Sequence, residues 1–141
     1  MPTWRRTTTT KTVAELLDIR KSEDVVRVRQ RVRALAVEAG LSLVDQTKIV
    51  TAASELARNT LDYGGGGTVD LELVLAPRRG VRMQFVDQGP GIPDIELALR
   101  DGFTSGGGLG LGLGGAKRLS SEFHISSQPG QGTRITIARF K

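Results

Sequence analysis

Between positions 106 and 115 the chain carries only glycine and leucine, in the order Gly-Gly-Gly-Leu-Gly-Leu-Gly-Leu-Gly-Gly. A run so rich in glycine is a poor interior for a strand or helix, because each glycine gives up a packing side chain and loses the most backbone freedom on folding. A second cluster occupies Gly64 to Gly67, and the two together hold eleven of the 18 glycines in 141 residues. Neither has a collagen period or a proline-rich disordered composition, so both read as loops inside a folded domain.

A chain of this length makes one domain and can bury roughly 68 to 70% of its unfolded surface without staples. Hydrophobic residues are 38% of the chain and aromatics only 4%, which leaves the core to Leu, Val, Ile and Ala. The absence of cysteine excludes a disulfide framework, a thiolate metal site and a cysteine nucleophile. No apolar run approaches about 18 residues and Met1 to Lys11 has no apolar stretch, so the expectation is a cytoplasmic protein without a membrane segment. The net charge is +5, yet only Arg27, Arg29, Arg31 and Arg33 form a dense basic run. Trp4 and Tyr63 do not interleave with basic residues as stacking platforms would, which argues against nucleic acid. The run fits a solvated helix face or a surface for an acidic protein partner.

Val25, Val28, Val32, Leu35 and Ala39 recur at spacings of three and four, which predicts a helix from Ser22 to Ala39, stopped by Gly40. Val26 to Arg29 also permits a strand. A second helix starts near Ser42 or Asp45, either able to cap it, and presents Ile49, Val50, Ala53, Leu56, Ala57 and Leu61 on one face. Alternation predicts strands over Val69 to Leu75 and Val81 to Phe85, joined at Pro77 to Gly80, and a final hairpin of Phe123 to Ser126 with Thr133 to Phe140. A short helix is expected at Ile95 to Arg100, another from the glycine cluster to Ser121, and an edge strand over Thr8 to Ile19. The sum is an α+β sandwich with helices layered on a mostly antiparallel sheet.

Four short patterns have chemical content. Glu55 and Asn59 lie one turn apart on the same helix face, more than 90° from the middle of the apolar stripe. Alone they read as a solvated polar edge; together they also offer a proton acceptor beside an amide oxygen able to ligate Mg²⁺. Asp87 closes a strand and opens Asp87-Gln-Gly-Pro-Gly-Ile92, where glycines admit a ligand close to the backbone and the carboxylate can accept from an exocyclic amine. An ordinary turn aspartate fits that pattern too. Gly108-Leu109-Gly110-Leu111-Gly112-Leu113-Gly114 leads into a helix, a setting that suits phosphates. It is neither a Rossmann loop, since no strand precedes it, nor a P-loop, since no G-K-[ST] follows. Gly132-Thr133 opens the last strand. One histidine and no cysteine exclude a His/Cys metal cluster.

In this order, Glu55-x-x-x-Asn59, Asp87-x-Gly89-x-Gly91, Gly108-x-Gly110-x-Gly112 and Gly132-Thr133 resemble the boxes of the GHKL ATPases. Within that superfamily the chain is similar to the small bacterial anti-sigma regulatory serine/threonine kinases, most of all the stressosome switch kinases, over about residues 12 to 140. The resemblance implies a Bergerat fold, with a mixed, mostly antiparallel sheet and helices on one face, for a single domain of residues 12–141 after a tail of 1–11. It implies ATP and Mg²⁺. Asp87 would then bind the adenine amine with Gly89, Gly91 and Ile92 around it, and Thr133 would support it through a water. Asn59 would hold the metal, Glu55 would act as base or orient the nucleophile, and the backbone of Gly108, Leu109, Gly110, Leu111, Gly112, Leu113 and Gly114 would hold the phosphates. Residues 93–105 correspond to the lid, where Arg100 would reach the γ-phosphate. The implied partners are a STAS-domain antagonist as substrate, with a PP2C-type phosphatase or a sigma factor besides, and neither nucleic acid nor membrane. The alternative to a kinase is an anti-sigma factor that sequesters a sigma subunit. The resemblance gives Gly64 to Gly67 no role.

Overall fold

The period-two alternation of the strands puts one side of each in the core. The computed structural model describes residues 11–100 and 112–141. The elements are β1 (Lys11–Ile19), α1 (Ser22–Glu38), α2 (Leu43–Asp62), β2 (Gly67–Val74), β3 (Gly80–Asp87), α3 (Ile95–Ala98), α4 (Leu113–Arg118), β4 (Glu122–Ser127) and β5 (Thr133–Phe140). The strands form one sheet in the order β1-β2-β3-β5-β4. The expectation of a mixed sheet is sharpened, since every described pairing is antiparallel. Two helices rather than one connect β1 to β2, so the chain re-enters the sheet at the end where it left, with Gly67 opposite Ile19. A single crossover helix would have made that pair parallel.

Register then builds the core. Val69, Phe85 and Ile135 stand in one row across β2, β3 and β5, and Leu71, Met83 and Ile137 in the next, all buried. The opposite face is mixed, with Asp70, Gln84 and Thr136 beside Val74, Ala138 and Phe140, and there Arg82 bridges Glu72 and Glu122 at 3.2 Å each. Helices α1 and α2 cover the apolar face. Val25, Val28, Val32, Leu35 and Ala39 are buried as the spacing predicts, while Val26 is exposed, which settles helix over strand.

The helix ends draw on distant residues. Ser42 caps α2, its Oγ accepting from the Asp45 N–H at 3.1 Å, while the Asp45 carboxylate pairs with Arg139 of β5 at 2.9 Å. The last turn of α1 has no basic residue; Arg79, before β3, donates to the carbonyls of Ala39 at 3.0 Å and Glu38 at 2.8 Å and closes that end. The basic run is not a continuous positive stripe. Arg27 is paired with Asp24 at 2.7 Å and Arg31 with Glu15 at 2.8 Å. Two helices are shorter than expected. The Arg100 N–H turns back to Leu97 at 3.1 Å beyond the end of α3, and Ser121 donates its N–H to Ala138 of β5 instead of continuing α4.

Candidate functional site

Asp87 ends β3. Since Val81, Met83 and Phe85 face the core, the alternation carries the Asp87 side chain onto the same face, toward α2, and it is 8% exposed. It stands in register between Gly67 of β2 and Thr133 of β5, and Thr133 is also buried. The Asp87 Oδ1 accepts from the Gly89 N–H at 2.9 Å. Burial pushes its carboxyl above the ordinary value, and the backbone N–H groups of Gly89 and Thr133 work in the opposite direction.

The other wall is α2. Leu56 and Thr60 are buried, Asn59 is half-buried and Glu55 is exposed, the gradation that one turn of a helix at the edge of a core must give. Between α2 and the sheet lies a narrow cleft. Leu56, Phe85, Ile92, Leu113 and Ile135 make its apolar walls, and Asn59, Asp87 and Thr133 supply polar groups.

The cleft mouth is held by backbones that pass too closely for side chains. A Cβ on Gly91 (φ +80°) would lie 2.1 Å from the Gln128 carbonyl oxygen, and one on Gly132 (φ +80°) 2.1 Å from that of Asp87. Ser127 joins these segments. The Ile92 N–H donates to its Oγ at 2.7 Å, that Oγ donates to the Gly132 carbonyl at 3.1 Å, and it lies 2.8 Å from the Thr133 hydroxyl. Tyr63 donates its hydroxyl to the Gly91 carbonyl at 2.8 Å and ties α2 to the same loop. Gly112 (φ +65°) opens α4 directly over Glu55, whose Oε2 would be 3.0 Å from a Cβ there.

The structure thus brings Glu55, Asn59, Asp87, Gly89, Gly91, Ile92, Leu113 and Thr133 to the cleft or its rim, with Gly112 capping α4 and Gly114 within it. Gly108, Leu109, Gly110 and Leu111 lie outside the described residues. Arg100 is exposed and does not line the cleft. Tyr63 and Ser127 escaped the sequence reading. Tyr63 had a detectable signal, since it follows Asn59 by four residues on the same helix; Ser127 had none until the β4–β5 register set it opposite Thr133.

Apolar walls with one buried carboxylate, beside the hydroxyls of Thr60, Tyr63 and Thr133, suit a planar heterocycle bearing an exocyclic amine. Among the described residues no group of three or more His, Cys, Asp or Glu is disposed to hold a metal. A cation here would depend on Asn59 and on oxygens of the ligand, which is how Mg²⁺ commonly binds beside phosphates. No helix of the described residues is long and apolar enough to cross a membrane.

The chain also has matches among known proteins. Residues 44–141 match the family described as histidine kinase-, DNA gyrase B-, and HSP90-like ATPase. The serine/threonine-protein kinase RsbT of Bacillus subtilis is 49% identical over 118 residues, 83% of this chain and 89% of that protein. An anti-sigma F factor of Thermoanaerobacter sp. (strain X514) is 27% identical over 131 residues, 89% of this chain and 92% of that protein. Among solved structures, the RsbU and RsbW domains of Rv1364c from Mycobacterium tuberculosis align with a TM-score of 0.62 and 24% identity over 92% of this chain and 32% of that one. At that identity the likeness is one of fold.

Proposed function

Because the chain belongs to the histidine kinase-, DNA gyrase B- and HSP90-like ATPase family, we propose that its cleft binds ATP for protein serine/threonine phosphorylation in a bacterial partner-switching pathway. The substrate in this reading is a serine on a STAS-domain antagonist, and a PP2C-type phosphatase is a further partner. Residues 12–141 form the one kinase domain after a tail of 1–11, and the protein works in the cytoplasm. The observation that carries the reading is the pairing of a buried Asp87 with Thr133 on one wall of a cleft whose other wall, α2, presents Asn59 and Glu55 at the rim.

The roles are those that the resemblance to the family implies, and the cleft supports them. Asp87 accepts the hydrogen bond of the adenine amine, and Thr133, fixed by Ser127, supports that contact through a water. The apolar side chains Leu56, Ile92 and Phe85 hold the base, while Gly89 and Gly91 let it approach the backbone. Asn59 holds Mg²⁺, which neutralises charge on the phosphates when bound. The backbone from Gly108 to Gly114 receives the phosphates. Glu55 lies beneath the start of α4 and takes the proton of the incoming serine hydroxyl. The serine oxygen bonds to the γ-phosphorus, the bond to the β,γ-bridging oxygen breaks, and ADP leaves. Positioning and charge neutralisation do most of the work in such a transfer, so this short set of groups is chemically sufficient.

A second reading, an anti-sigma factor that sequesters a sigma subunit, is favoured by the anti-sigma F relatives that match 89% of the chain. Co-precipitation of the purified protein, with ATP or ADP and Mg²⁺, against a STAS-domain protein and a sigma factor separates the two. The kinase reading expects capture of the STAS protein and its release after phosphorylation; capture of the sigma factor alone supports the second.

A further inference from the structure

We infer that Gly64 is a positioning residue for Asp87: it lacks a side chain because the carboxylate fills the space where one would stand, and through that contact it sets the preference for a purine carrying an exocyclic amine. The inference rests on the reading of Asp87 as the acceptor for that amine.

The four glycines of this loop have different reasons to be glycine. Gly65 (φ +76°) has a left-handed backbone and open space around its absent Cβ. Gly66 (φ +104°) is left-handed as well, and its N–H donates to the Thr60 carbonyl at 2.8 Å. Gly67 opens β2, where a Cβ would lie 2.1 Å from the Val86 carbonyl oxygen. Gly64 has no positive φ, so its backbone would accept any residue; only its surroundings forbid one. A Cβ there would lie 2.4 Å from Asp87 Cγ and 2.6 Å from both Asp87 Cβ and Oδ2. Those separations are far inside van der Waals contact.

Asp87 cannot yield freely. Its backbone is fixed on both sides by Gly67 and Thr133, and its Oδ1 is bound to the Gly89 N–H. Gly89 is nested against Gly64 in turn, since a Cβ at Gly89 would lie 2.7 Å from the Gly64 Cα. The Gly64 N–H donates to the Asn59 carbonyl at 3.0 Å, which anchors position 64 to the end of α2. A methyl group at 64 therefore turns the carboxylate away from the cleft or pushes the α2 end off the sheet, and the amine contact is lost in either event.

The test compares binding of ATP and of purine riboside triphosphate, which has hydrogen in place of the amine, to the full-length wild type, Gly64→Ala, Gly65→Ala and Asp87→Asn. Calorimetry with Mg²⁺ gives the affinities, and thermal melts report folding. A charge-assisted hydrogen bond corresponds to a wild-type preference for ATP of about tenfold to a hundredfold. Gly64→Ala is expected to lose most of that preference, as Asp87→Asn does, while Gly65→Ala melts lower and keeps it. Wild-type discrimination in Gly64→Ala, an equal weakening of both nucleotides, or the same loss in Gly65→Ala overturns the proposal. Undiminished discrimination in Asp87→Asn overturns the reading of Asp87 itself, and the proposal with it. Should Gly64→Ala not fold, it is combined with Asp87→Gly, which removes the side chain that the methyl group would meet: recovery of folding supports the contact, and continued failure to fold where Asp87→Gly alone folds overturns it.

Discussion

Thr133 stands directly opposite Asp87 across the β3–β5 pairing, and both are buried at the same end of the sheet. A carboxylate and a hydroxyl held side by side by register need no loop to position them. What the loops add is closure, through Ser127 and the glycines at 91 and 132.

Asp87→Asn keeps the shape of the side chain and removes the charge. It is expected to weaken ATP binding by about 1 to 3 kcal/mol, the usual range for a hydrogen bond to a charged group. Isothermal titration calorimetry reads this directly, and unchanged affinity would end the adenine role of Asp87.

The same variant has a pH signature without nucleotide. The folded-state pKa of Asp87 is raised, chiefly by burial, so the folded protein holds this proton more tightly than the unfolded chain. The stability linked to it is complete below the ordinary carboxylate range and is lost as pH rises through the folded value. Asp87→Asn should therefore melt above the wild type at neutral pH, and the gap should close on acidification through that window. A gap that widens toward acid contradicts the burial argument.

Glu55→Ala is expected to bind ATP normally and to lose phosphotransfer, because a general base acts mainly in the transition state. Glu55 is exposed, so the melting temperature should hardly move. Transfer at the wild-type rate would reassign Glu55 as a surface residue.

Ser127→Ala leaves the Ile92 N–H without its acceptor and frees Thr133 from its neighbour. The expected cost is about 1 to 3 kcal/mol of stability, the penalty for a polar group left unsatisfied away from water. Chemical denaturation measures it, and ATP affinity should fall in parallel; a loss of stability with full ATP affinity would separate Ser127 from the site.

Much of the fold is legible in the chain because its periodicities are clean. The valine and leucine spacing of α1 and the alternation of β2 and β3 each allow one buried face, and the structure buries those faces. Helix ends are less legible: Arg79 closes α1 from forty residues away, and Ser121 abandons α4 for a backbone partner on β5. At the cleft, Glu55, Asn59, Asp87 and Thr133 sit in patterns whose spacing has chemical meaning. Gly64 was opaque, since its constraint is the Asp87 carboxylate 23 positions later, and only the pairing of β2 with β3 brings the two together. Ser127 was opaque for the same kind of reason.

Incubation of the purified protein with γ-labelled ATP, Mg²⁺ and the STAS-domain protein encoded nearest to it tests the kinase reading most directly. The expected result is label on a serine of the STAS protein, present with the wild type and absent with Glu55→Ala. ATP binding and capture of that protein without any transfer of label would contradict it.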